Sequence, residues 1–166
     1  MKLKAPTCLL LCLATLAHGY DLEVPQAIVD KMSVDELIGA MTQVNIDYIM
    51  TANKTVNATS VQELADQYVG SMLNTPITDG SDTPPLSAPK WRDVITKIQD
   101  IHAKAGRPIV YGLDSVHGAN DVKDAVLFPQ QINIGATFNP KFAKSMGTVA
   151  ARDTKAGGMN WLFAHP

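Results

Sequence analysis

The chain has 166 residues, enough for one domain with a sizeable core. It is 46% hydrophobic and 18% charged, with a formal charge of −2. That balance is ordinary for a folded protein and offers no basic surface for nucleic acid.

In chain order, the first segment reads as a secretory signal peptide, residues 1–19. Lys2 and Lys4 supply the positive start, Cys8 to Leu16 a short apolar run, and Ala17-His18-Gly19 a small-residue cleavage site. The run is too short to span a bilayer, so no membrane association is expected after cleavage. Removing it takes away both cysteines and moves the formal charge to −4. A secreted chain, residues 20–166, without disulfides must then be held by its core. Asn53-Lys54-Thr55 and Asn57-Ala58-Thr59 fit the N-glycosylation pattern in a polar stretch, so Asn53 and Asn57 are expected to be exposed and to carry glycans.

Residues 24–40 read as a helix with Ile28, Met32, Leu37 and Ile38 on its apolar side. A capping box, Ser33-Val34-Asp35-Glu36, offers a restart inside it. Residues 41–46 read as a strand. The next helix covers 59–69, with apolar spacing at Val61, Leu64, Ala65 and Tyr68, and residues 70–74 form a second strand. The Pro/Gly/Ser-rich stretch 75–89 is a loop. A long helix follows over 90–106, with Trp91, Ile95, Ile98 and either Ile101 or His102 facing inward, then a strand at 108–113. Residues 131–137 are one more apolar run. A helix starts at the Asn139 cap with Pro140 in its first turn, stops at Gly157-Gly158, and leads to a last strand at 159–164. Helices alternating with short apolar strands imply an α/β fold with a parallel sheet. In such folds the ligand groups gather at the carboxyl ends of the strands.

Asp114 and His117 stand just past one such end. Asp114 is either a ligand contact or a helix cap, and no helical periodicity begins directly after it. His117 is open to three readings: a base, a hydrogen-bond donor to a ligand, or a histidine satisfied by backbone. Asp114, His117, Asp121 and Asp124 match no metal-ligand spacing, and no metal or cofactor is expected. Trp91 reads as core. Trp161 reads as core by default, with stacking on a sugar as the alternative.

Three motifs occur in fixed order: G-x-D-x-V-H-G at 112–118, F-P-Q-x-I-x-x-G-A-T at 128–137, and G-x-N-W-x-F-A from 158. With "KMSVDELIGAMTQ" upstream, this pattern resembles the amino-terminal domain of glycoside hydrolase family 3, which includes β-glucosidases, over nearly all of residues 20–166. The resemblance implies a TIM-like (β/α) barrel, here a partial one with early strands and helices only. It implies a retaining, exo-acting β-glycosidase without cofactor, whose partners are β-linked glucosides or glucan oligosaccharides. It assigns Asp114 to the hydroxyls of the sugar in the first subsite; His117 stays a candidate substrate contact on its position alone.

Two departures stand out. The family's "FAP" is "FAHP" here, and the family's catalytic aspartate, in an S-D-W-like motif, would lie beyond Pro166, as would its acid/base. Retaining hydrolysis needs two carboxyl groups roughly 5–5.5 Å apart, and a full barrel takes about 250 residues. The chain is therefore expected to be a truncated part of such an enzyme, inactive alone. The alternative is a naturally short, non-catalytic sugar-binding or decoy protein.

Overall fold

The computed structural model describes residues 23–53, 55–76 and 85–164. The expected signal peptide and its cleavage site lie outside the described residues. The chain divides into two compact units, residues 1–34 and 35–166. The described part of the first is helix α1 (Glu23–Val29), followed by Asp30, whose Oδ1 accepts a hydrogen bond from Gln26 Nε2 at 2.7 Å.

Helix α2 (Val34–Met41), in the second unit from Asp35 on, carries Asp35 and Glu36 in its first turn, where acidic side chains complement the helix dipole. The restart offered at Ser33 is therefore real, and residues 24–40 are two helices rather than one. Neither Ile28 nor Ile38 is inward: they are 60% and 56% exposed.

The order continues as β1 (Gln43–Asn45), a 3-10 turn (Ile46–Ile49), α3 (Ala58–Asp66), β2 (Ser71–Leu73), α4 (Ala88–Lys104) and β3 (Val110–Asp114). It ends with α5 (Gln131–Gly135), α6 (Pro140–Ala156) and β4 (Trp161–Phe163). The four strands form one sheet in the order β1-β2-β3-β4. All three pairings are parallel. The expected α/β architecture with a parallel sheet is what the chain adopts. Strand β1 is shorter than the expected 41–46, because the Asn45 side chain accepts the Asp47 N–H at 3.0 Å and starts the tight turn. Within the apolar run at 131–137, Gln131–Gly135 form helix α5.

Register and the two-residue period sort the side chains onto two faces. Val44, Met72, Tyr111, Leu113 and Leu162 point one way; Asn45, Leu73, Gly112, Asp114, Trp161 and Phe163 point the other. The first face is covered by α3 and α4. Met72, Tyr111, Ile98 and Trp91 are fully buried there, and the Trp91 and Tyr111 rings meet edge to face at 6.0 Å. His102, not Ile101, is the fully buried position near the end of α4. On the second face Trp161 remains 42% exposed, against Phe163 at 4.5 Å between ring centroids, so the core reading of Trp161 is corrected. Gly112 is required there: a Cβ would come within 2.5 Å of the Phe163 ring.

Two side-chain amides fix the start of β3. Gln99 Nε2 donates to the Ile109 carbonyl at 2.6 Å, and its Oε1 accepts the Ile109 N–H at 3.2 Å. Asn160 Oδ1 accepts the Tyr111 N–H at 2.7 Å. Near the same end, the Arg107 guanidinium lies 3.8 Å above the Tyr68 ring and 3.5 Å from Glu36.

Candidate functional site

The carboxyl ends of the strands carry the polar groups. After β1, the turn capped by Asn45 presents Asp47 on the surface. After β2, Asn74 adopts a positive φ of 74°, and its carbonyl accepts a hydrogen bond from the Tyr111 hydroxyl at 2.6 Å. Asp114 is the last residue of β3, exposed, and paired in register with Phe163 on the half-open face. It is a strand terminus, not a helix cap.

The long polar loop after Asp114 is pinned at several points. Gly118 has φ 84°, and a Cβ there would meet the Val126 carbonyl at 2.8 Å, so only glycine fits this turn. The Phe128 N–H donates to the His117 carbonyl at 3.0 Å, while His117 Nδ1 lies 2.9 Å from the Phe128 carbonyl. A carbonyl only accepts, so Nδ1 is the donor in this contact. His117 thus joins the two ends of the loop through backbone. Its ring is half-buried, and Nε2 is the nitrogen left to address a ligand.

Farther along, Leu86 and Val122 form a bridge, and the Lys123 N–H donates to the Leu86 carbonyl at 2.9 Å. Trp91 Nε1 donates to the Asp121 carbonyl at 2.8 Å. The Asp121 carboxylate accepts from Asn120 Nδ2 at 3.0 Å. Burial, and then the charge of Asp114, push the Asp121 carboxyl above its ordinary value. Burial, followed by the charges of Asp47 and Asp121, pushes the Tyr111 phenol up as well. The charges of Asp47 and Asp121 thus reach the buried Tyr111, and that of Asp114 reaches Asp121.

Sequence reasoning singled out Asp114 and His117 but set Asp121 aside with the rejected metal cluster, and it passed over Asp47. The available signal was positional: Asp47 follows a strand end just as Asp114 does. Among the described residues, no group of three or more His, Cys, Asp or Glu side chains could hold a metal ion. Nor, among them, is any helix long and apolar enough to cross a membrane. Asn53 is exposed as expected, whereas Asn57 is half-buried and caps α3, its side chain accepting from the N–H groups of Thr59 and Ser60. Its expected exposure is corrected on that account. The cap uses the side-chain oxygen and leaves the amide nitrogen, the glycan acceptor, uncommitted by it.

Carboxylate acceptors on the same face as the exposed Trp161 ring suit a ligand rich in hydroxyls. The model of the Glycosyl hydrolase family 3 N terminal domain matches residues 33–165. The chain belongs to glycosyl hydrolase family 3. It is 40% identical over 144 residues to a lysosomal beta glucosidase of Dictyostelium discoideum, covering 82% of this chain and 18% of that protein. Among solved structures it superposes on an exo-1,3/1,4-beta-glucanase from a Pseudoalteromonas species with a TM-score of 0.68 and 25% identity, over 84% of this chain and 17% of that one. It also superposes on a fungal multi-domain family 3 beta-N-acetylglucosaminidase with a TM-score of 0.63 and 17% identity, over 80% and 15%. That last likeness shows the fold alone. The chain spans about a fifth of the length of the relatives it matches. As a family 3 chain with a parallel sheet of four strands, it presents part of the family's barrel domain.

Proposed function

We propose that residues 20–166 form part of the barrel domain of a secreted, retaining, exo-acting β-glycosidase that removes terminal β-linked glucose from oligo- or polysaccharides. The observation that carries this is the place of Asp114: a carboxylate at the carboxyl end of β3, on the half-open face, within the matched family region. A carboxylate accepting two sugar hydroxyls makes charge-assisted hydrogen bonds, about twice as strong as neutral ones. His117 Nε2 supplies a further hydrogen-bonding nitrogen at the same rim, and Asp121 a carboxyl that holds its proton to higher pH than usual. The names of the Dictyostelium and Pseudoalteromonas relatives support β-glucosides as the substrate class. The nucleophile and acid/base lie outside these 166 residues in this reading, so the chain alone is inactive. Asn53 and Asn57 are glycosylated on the exported protein.

The test uses Asp114→Asn in the whole enzyme. We expect kcat/KM toward aryl β-glucosides to fall at least about tenfold, since a charged hydrogen bond is worth about 1.5–3 kcal/mol. The thermal midpoint should stay nearly constant, because an exposed, near-isosteric change loses little packing. A destabilised but fully active variant would remove Asp114 from the site. Clear turnover by the purified 166-residue chain would show that it holds its own carboxylate pair.

A further inference from the structure

We infer that the chain holds a second binding site, for a small, neutral, mainly apolar alcohol or ketone, in a cavity between α5, α6 and the end of β4. The cavity has a volume of about 450 Å³. Ile134, Met146 and Leu162 form its apolar wall, and no charged side chain lines it. It is roomy because Gly135, Ala143, Gly147 and Ala150 project almost nothing into it, and a Cβ at Gly135 or Gly147 would meet no atom within 4 Å.

Two polar groups give the space a chemistry. Ser115 is 1% exposed and lines the cavity, yet its Oγ has no hydrogen-bond partner. Gln131 lines it too, and its buried Nε2 is likewise unpartnered. Leaving such groups unsatisfied is costly, so an occupant that satisfies them is favoured. Nε2 only donates, and the serine hydroxyl does both, so the occupant needs an acceptor oxygen. With no cation in the wall, a carboxylate would be desolvated without a counter-charge, which selects a neutral molecule. Volume, apolar lining and a few converging polar groups are the usual attributes of a small-molecule pocket. The cavity is distinct from the sugar rim. Asp114 stands on the half-open face, whereas Ser115, the next residue, lines the space beside α5 and α6.

The experiment titrates phenylethyl alcohol, and ethylbenzene as its hydrocarbon counterpart, into the 166-residue chain and follows methyl resonances by NMR. We expect saturable shifts at Met146, Ile134 and Leu162 with both probes. Ser115→Ala should weaken the alcohol about three- to tenfold, one neutral hydrogen bond, and leave the hydrocarbon unchanged. Gly147→Phe should fill the space, abolish binding of both and raise the thermal midpoint. Gly147→Leu gives the same readout if the phenylalanine variant does not fold. Shifts that never saturate, binding that survives the filling variants, or equal loss of both probes in Ser115→Ala would each overturn the proposal.

Discussion

The two faces of the sheet are built from the same short strands and have opposite fates. On one, Met72, Tyr111 and Leu113 are sealed beneath α3 and α4. On the other, Val110 and Trp161, each 42% exposed, flank the line that ends at Asp114. The difference teaches where each kind of constraint acts. The closed face fixes the strands, and the open face presents chemistry on strands already fixed.

The largest expected effect breaks this contrast directly. Trp91→Ala removes a fully buried ring that both packs on Tyr111 and ties down the site loop through Asp121. We expect about 3–5 kcal/mol of lost stability. Trp161→Ala, on the open face, should cost only about 1 kcal/mol. Urea unfolding of both variants decides; equal losses would mean that the two faces are equivalent.

A smaller effect comes from Tyr111→Phe. It deletes the hydroxyl that binds the Asn74 carbonyl at 2.6 Å and leaves that carbonyl to find another partner. We expect about 1–2 kcal/mol, read as a lower unfolding midpoint with an unchanged denaturant slope.

The subtlest prediction uses pH, and here the two regions have opposite signs. His102 is fully buried on the closed face, and desolvation holds its pKa below the ordinary 6.5. The unfolded chain therefore takes up a proton that the folded chain refuses. That contribution to stability is complete above about pH 6.5 and is lost as pH falls from there toward the depressed folded value. Asp121 behaves in reverse. Its raised pKa means the folded state binds the proton more tightly, so its contribution is complete below its ordinary value of 3.8 and is lost as pH rises through the folded value. Chemical denaturation from pH 7 to pH 5 should show falling stability in the natural chain, and His102→Leu should flatten that fall. A fall of equal depth in the variant would place the titrating group elsewhere.

Much of the closed face could be read in the sequence, because period and burial coincide there: Trp91, Ile95 and Ile98 recur along one side of α4 and are buried. Elements with little burial were harder. Ile132 and Ile134 of α5 look like strand residues, but Ile132 is 76% exposed and the segment is a short helix beyond Pro129. Asp114 was legible because a charged residue closes an apolar strand. The rim around it was not: Asp47 comes from a loop distant in sequence, and Asp121, seven residues on in the same loop, is placed by the fold of that loop rather than by any periodic signal.

The paired hydrogen bonds from Gln99 to Ile109 have a consequence for accuracy. A side-chain amide bonding both backbone groups of one residue imitates a neighbouring strand, so it works as a length gauge between α4 and β3. Slippage of β3 by a single residue would exchange its two faces, turning Asp114 toward the helices and Leu113 toward the rim. Because the gauge grips Ile109, five positions before Asp114, an error at the start of the strand cannot propagate to its end. One glutamine on a covering helix thereby determines which way a distant carboxylate looks.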